Sequence, residues 1–109
     1  MQGERDARFP AAGEQYGANL SVLVDRIRED LDAPDLPFIF GQVNPPPERY
    51  PASEDVRNAQ QAAERLIRAA TMVSTEGLAK HDDDLHYNTE GQLELGRRFA
   101  RAYLAMRGR

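Results

Sequence analysis

Between Gln15 and Leu31 apolar side chains recur at helical spacing: Tyr16, Leu20, Leu23, Val24, Ile27 and Leu31 share one stripe, and Asp25, Arg26, Arg28, Glu29 and Asp30 fall mainly elsewhere. This spacing predicts an amphipathic helix, stopped by Pro34 and Pro37. At Phe38-Ile39-Phe40-Gly41-Gln42-Val43 the pattern changes to a short apolar run rich in strand formers. A strand apolar on both faces is the kind buried in a parallel sheet. Asn44, Pro45, Pro46, Pro47 and Pro51 then predict an extended surface loop, which either shapes a cleft or serves only as a connector. Ser53 is placed to cap a second helix with a thin apolar stripe of Val56, Ala59, Ala63, Leu66 and Ile67. A second short strand is predicted over Ala70 to Ser74, after which Glu76-Gly77-Leu78 turns the chain outward. Thr89 and Gln92 have the spacing of a capping box, and the final helix is predicted to run to about Met106. Leu95, Phe99, Tyr103 and Met106 make one of its apolar stripes and Leu93, Gly96 and Ala100 a neighbouring one, with Glu94, Arg97, Arg98 and Arg101 on the wet face.

The predicted order is helix, strand, helix, strand, helix. Alternation of this kind implies an α/β fold with parallel strands joined by helical crossovers, and in open sheets of that type functional residues sit in loops at the carboxyl ends of strands. Two strands are few for such a sheet, and strands buried on both faces need neighbours on both edges. No internal repeat supplies them, so something is missing, and apolar strands with unpaired edges favour assembly, for example into a homo-oligomer.

Composition narrows the function classes. The chain has 109 residues, room for one small domain, and its 40% hydrophobic content with three amphipathic segments argues against disorder. Fourteen Lys and Arg against eighteen Asp and Glu leave no basic footprint, so nucleic acid is not an expected partner. The absence of cysteine excludes disulfides, thiolate nucleophiles and cysteine-ligated metals, and leaves the compartment open. No apolar run is long enough to span a bilayer, and Met1 to Phe9 is polar and charged rather than signal-like, so no membrane partner is expected.

The densest chemistry is His81-Asp82-Asp83-Asp84-Leu85-His86-Tyr87-Asn88-Thr89, which runs straight into the last helix. A carboxylate three positions before a histidine can sit beside one imidazole nitrogen and leave the other free for proton transfer. The plainer reading is a surface histidine behind an acidic run that favours the helix N-terminus. A metal site built from His81, Asp82, Asp84 and His86 is the weakest alternative: neighbouring residues cannot all point inward, and neither a zinc nor a calcium-loop pattern is present. At the start of the chain, Gln2-Gly3-Glu4 suits a tight turn with backbone N–H groups aimed at a ligand, or equally a frayed terminus.

Gln2-Gly3-Glu4, Leu36-Pro37-Phe38-Ile39-Phe40-Gly41-Gln42, and Asp83-Asp84-Leu85-His86-Tyr87-Asn88-Thr89 leading into Gly91-Gln92-Leu93-Glu94-Leu95-Gly96-Arg97-Arg98 occur in that order. Together they resemble the C-terminal half of the sialate O-acetylesterase domain family, SGNH-hydrolase relatives that include acetylxylan esterases of carbohydrate esterase family 6. The resemblance extends from Gln2 to nearly the end of the chain. It implies a partial domain over 1–109 of the three-layer α/β/α, flavodoxin-like SGNH-hydrolase fold, lacking the N-terminal nucleophile block. It further implies a carbohydrate O-acetylesterase with a serine mechanism, no cofactor, no metal, and an acetylated carbohydrate as substrate. Asp83 and His86 match the family's acid and base, a choice of Asp83 over Asp82 and Asp84 that rests on family spacing. Gln2, Gly3 and Glu4 match its oxyanion and substrate side. The sequence departs from the family in three respects. No Gly-Gln-Ser-Asn block is present, since Gly41-Gln42-Val43-Asn44 has its outline without a nucleophile; the first strands are absent; and Arg5 stands where a small residue is usual. A competing expectation is a non-catalytic α/β fragment that self-associates or docks onto a partner.

Overall fold

The computed structural model describes residues 1–108. Three helices and two strands follow in the predicted order: α1 (Pro10–Asp30), β1 (Phe38–Gly41), α2 (Ser53–Leu66), β2 (Ala70–Val73) and α3 (Thr89–Arg107). One 3-10 turn, Asp6–Arg8, precedes them. β1 and β2 pair in parallel, with Phe38 opposite Ala70 and Gly41 opposite Val73.

Strand alternation sorts the core into two faces. Phe38 and Phe40, whose rings stack with centroids 5.0 Å apart, turn with Ala70 and Met72 toward the main apolar cluster. That cluster includes Ala7, Tyr16, Leu20, Val24, Val56, Ala63 and Ile67, from the N-terminal segment, α1, α2 and the end of α2. Gly41 points the other way, toward the Phe99 ring of α3. The sheet is thus covered by α2, with α1 packed on it, on one face and by α3 on the other.

α1 begins five residues earlier than periodicity indicates, because Pro10 suits the first helical position, where no N–H partner is needed. Its buried line is Gly13, Tyr16, Leu20, Val24 and Arg28, while Leu23, Ile27 and Leu31 are 54%, 43% and 62% exposed. Arg28, expected on the wet face, is therefore a correction: its guanidinium donates to the carbonyls of Leu36 at 2.7 and 3.1 Å and of Arg68 at 2.7 Å. Those carbonyls lie just ahead of the two strands, so one charged group pins both strand entrances while its stem lies in the apolar layer.

Ser53 is not the cap of α2 but its first residue, buried, and the capping position is Ala52. Glu54 and Asp55 in the first turn compensate through the helix dipole. The buried line of α2 is Val56, Gln60 and Ala63 continuing to Ile67, which leaves Leu66 80% exposed, against expectation. The line runs through Gln60 because its amide, 1% exposed, is fully used. Its oxygen accepts from the Val43 N–H at 3.0 Å, and its nitrogen donates to the carbonyls of Gln2 and Gly41 and to the Tyr16 hydroxyl, at 3.2, 3.4 and 3.1 Å. A buried amide with both ends satisfied ties the N-terminal segment to β1.

Candidate active site

β2 delivers the chain through residues 74–79 to a closed loop in which Lys80 and Tyr87 form an antiparallel bridge. Within it the His81 N–H donates to the His86 carbonyl at 2.8 Å, and the Asp84 N–H to the His81 carbonyl at 3.1 Å. The loop hands over to α3 through Asn88, whose Oδ1 accepts from the Gly91 N–H at 2.9 Å. Asn88, not Thr89, is the cap, and Gln92 donates to the Tyr87 carbonyl at 3.0 Å rather than reaching back to the cap's own N–H.

Asp83 and His86 are brought together. One carboxylate oxygen, Oδ1, accepts the backbone N–H groups of Leu85 and His86, both at 3.0 Å, in a turn typical of aspartate. The other, Oδ2, lies 2.5 Å from His86 Nδ1. The same side chain therefore shapes the backbone that carries the histidine and orients its ring. The hydrogen bond from the His86 ring, followed by those from the Leu85 and His86 N–H groups, holds the Asp83 carboxyl well below the usual carboxylate range. With Nδ1 donating to a carboxylate, Nε2 is the basic nitrogen, and among the described residues it has no hydrogen-bond partner. The His86 side chain is 73% exposed, so the ring is open to a substrate or to further protein.

An open cleft of about 450 Å³ runs past His86, lined by Met1, Glu4, Leu85, His86, Tyr87, Gln92 and Leu95. Glu4 thus shares a cleft with His86. Burial pushes the Tyr87 hydroxyl up from its ordinary range, with a further push from the Glu4 charge. Gln2 and Gly3 are placed differently. The Gln2 amide donates to Asp6 at 3.1 Å and faces a separate groove beside Tyr16, Asn19, Leu20 and Leu23. Gly3 is buried at φ 135°, a backbone conformation restricted to glycine, and an added Cβ there meets Tyr16 and Val56 at 3.1 Å. The N-terminal segment is not frayed: Gly3 and Ala7 are both buried. Among the described residues no three histidine or carboxylate side chains converge as a metal-ligand set.

Periodicity could not reveal two cations at this site. Arg49, in the proline loop, donates to the Asp83 carbonyl. Lys80 donates through Nζ to the Asn44 carbonyl at 2.6 Å and the Asp84 carbonyl at 3.0 Å. The one available sign was compositional: Lys80 is the single lysine among thirteen arginines.

The depressed carboxyl makes a pH prediction. Asp83 should titrate below the ordinary midpoint of about 3.9, followed by carboxyl NMR, and its midpoint should rise in His86→Ala while staying somewhat low because the two N–H donors remain. Because the folded pKa is the lower one, ionised Asp83 favours the fold above the unfolded value, and that contribution fades as pH falls through the folded value. An unchanged midpoint in His86→Ala would show that the ring does not hold the carboxylate.

Comparison with known proteins bears on this geometry. The model of the family described as carbohydrate esterase, sialic acid-specific acetylesterase matches residues 1–105. A probable carbohydrate esterase of Arabidopsis thaliana is 34% identical over 109 residues, covering 95% of this chain and 38% of its own length. The X-ray structure of an Arabidopsis thaliana protein superposes with a TM-score of 0.86 at 35% identity, over 95% of this chain and 42% of that one. The chain therefore spans about two-fifths of the length of these relatives.

Proposed function

Because the chain belongs to the carbohydrate esterase, sialic acid-specific acetylesterase family, we propose that it carries the acid-base half of a serine esterase that removes acetyl groups from sugars. The observation that carries this reading is the 2.5 Å contact between Asp83 Oδ2 and His86 Nδ1, with His86 lining a cleft that also holds Glu4. In this reading the nucleophilic serine comes from a part of the domain outside these 109 residues. His86 Nε2 takes the serine hydroxyl proton as the oxygen attacks the acetyl carbonyl, and returns it to the departing sugar oxygen. Water, deprotonated by the same nitrogen, then attacks the acyl-enzyme, and acetate leaves as Nε2 returns that proton to the serine oxygen. Asp83 keeps Nδ1 as the donor and stabilises the imidazolium. Glu4, which lines the same cleft as His86, faces the substrate, and the buried Gly3 fixes the backbone that carries it.

Joining the chain to the portion of the Arabidopsis relative that it does not cover tests the proposal. The joined protein should hydrolyse 4-nitrophenyl acetate and an acetylated sugar, and the chain alone should not rise above background. Activity in the chain alone, or a joined and folded protein without activity, would sink it. A second reading, a non-catalytic fragment that self-associates, is favoured by the exposed line Leu23, Ile27 and Leu31. It predicts concentration-dependent dimers in sedimentation and no activity on joining.

A further inference from the structure

We propose that Lys80 and Arg49 are positioning residues that brace the Asp83–His86 loop against the proline loop. The inference rests on the esterase reading for its catalytic consequence and on geometry alone for the brace. Loop 81–86 is exposed and has no regular structure, yet the reading above requires the histidine to be held to within a fraction of an ångström. Two cations cross from elsewhere to supply that constraint.

Lys80 is largely covered, with 14% of its side chain exposed. Its ammonium meets three oxygens: the Asn44 carbonyl at 2.6 Å, the Asp84 carbonyl at 3.0 Å and Asp84 Oδ1 at 3.4 Å. Three convergent acceptors around one point suit an ammonium and not a planar guanidinium, which accounts for lysine at this position in a chain whose other cationic side chains are arginines. Asn44 is itself anchored, because Arg57 of α2 donates to Asn44 Oδ1 at 3.2 Å and to the Val43 carbonyl at 2.7 Å. A continuous path therefore leads from α2, which packs on the core, through Asn44 and Lys80 to Asp84. Arg49 adds a second crossing, from the proline loop to the Asp83 carbonyl. Neither cation reaches the His86 ring or the cleft lining, so each acts through the loop.

The test uses Lys80→Met, Lys80→Arg and Arg49→Met, in the joined protein and in the chain itself. In the joined protein kcat should fall about tenfold to a hundredfold for Lys80→Met and less for Arg49→Met, with KM for the acetyl ester nearly unchanged because substrate-contacting groups are retained. Lys80→Arg should fail to restore kcat. In the chain alone, amide exchange at Leu85 and His86, whose N–H groups bond Asp83, should accelerate while Val73 in β2 keeps its protection. If the parent joined protein is inactive and these amides still lose protection, the esterase reading fails and the brace stands. Unchanged kcat with unchanged protection overturns the brace, as does full rescue by Lys80→Arg, which would reduce the role to charge alone.

Discussion

In the joined protein, His86→Ala is expected to lower kcat/KM for acetyl ester hydrolysis by on the order of 10⁴–10⁶-fold, and Asp83→Asn by about 10⁴-fold. The two substitutions remove different things. Without His86 no group stands at Nε2 to take the serine proton. The amide introduced by Asp83→Asn would keep an oxygen for the Leu85 and His86 N–H groups, so the turn survives, but it would offer an N–H where Nδ1 must donate. The ring is then driven to the wrong tautomer, with the basic nitrogen facing inward. Asp83→Ala should do worse than Asp83→Asn, because the turn that carries His86 loses its acceptor as well. The check is steady-state kinetics on all three variants beside far-UV circular dichroism. Equal rates for Asp83→Asn and the parent would mean that the carboxylate only shapes the loop.

That double duty of Asp83 shows how much of the site was legible. The three-residue step from Asp83 to His86 suffices to bring carboxylate and ring together, because both lie in one short turn. The same locality makes the elements readable: the 3.6 period of α1 and the apolar run at β1 are properties of neighbouring residues. Failures occur where distant chain decides. Arg28 is buried because two strand entrances, one of them forty residues away, offer it carbonyls. Gln60 displaces Leu66 from the core line because four backbone and hydroxyl groups converge on its amide. Arg49 and Lys80 reach partners thirty-four and thirty-six residues away, and no period encodes that. The cap of α3 differs by one residue for another reason: Asn88 and Thr89 are both good caps, and only the turn entering the helix chooses between them.

That turn also supplies the largest stability prediction, a contrast between two glycines of one helix. A Cβ at Gly91 falls on the Ala79 carbonyl oxygen and lies 3.2 Å from both Ala79 C and Ala79 N. Backbone cannot rotate away as a side chain can, so overpacking of roughly 3 kcal/mol outweighs the gain of about 1 kcal/mol from alanine's better helix propensity. Gly91→Ala should therefore lose about 2 kcal/mol, a drop in Tm of roughly 8–15 °C for a domain of this size. Gly96 has nothing within 4 Å of its added Cβ and is exposed, so Gly96→Ala keeps the propensity gain and should raise Tm by a few degrees. Calorimetry of both variants decides, and a rise in both would show that Ala79 does not press on α3. The same contact links stability to chemistry. The Ala79 carbonyl that Gly91 approaches also accepts the Asn88 N–H at 3.1 Å, two residues from His86. Pushing α3 off Ala79 breaks that bond and moves the hinge on which the imidazole is carried, so in the joined protein Gly91→Ala should lose activity well below its melting temperature, whereas Gly96→Ala should keep it.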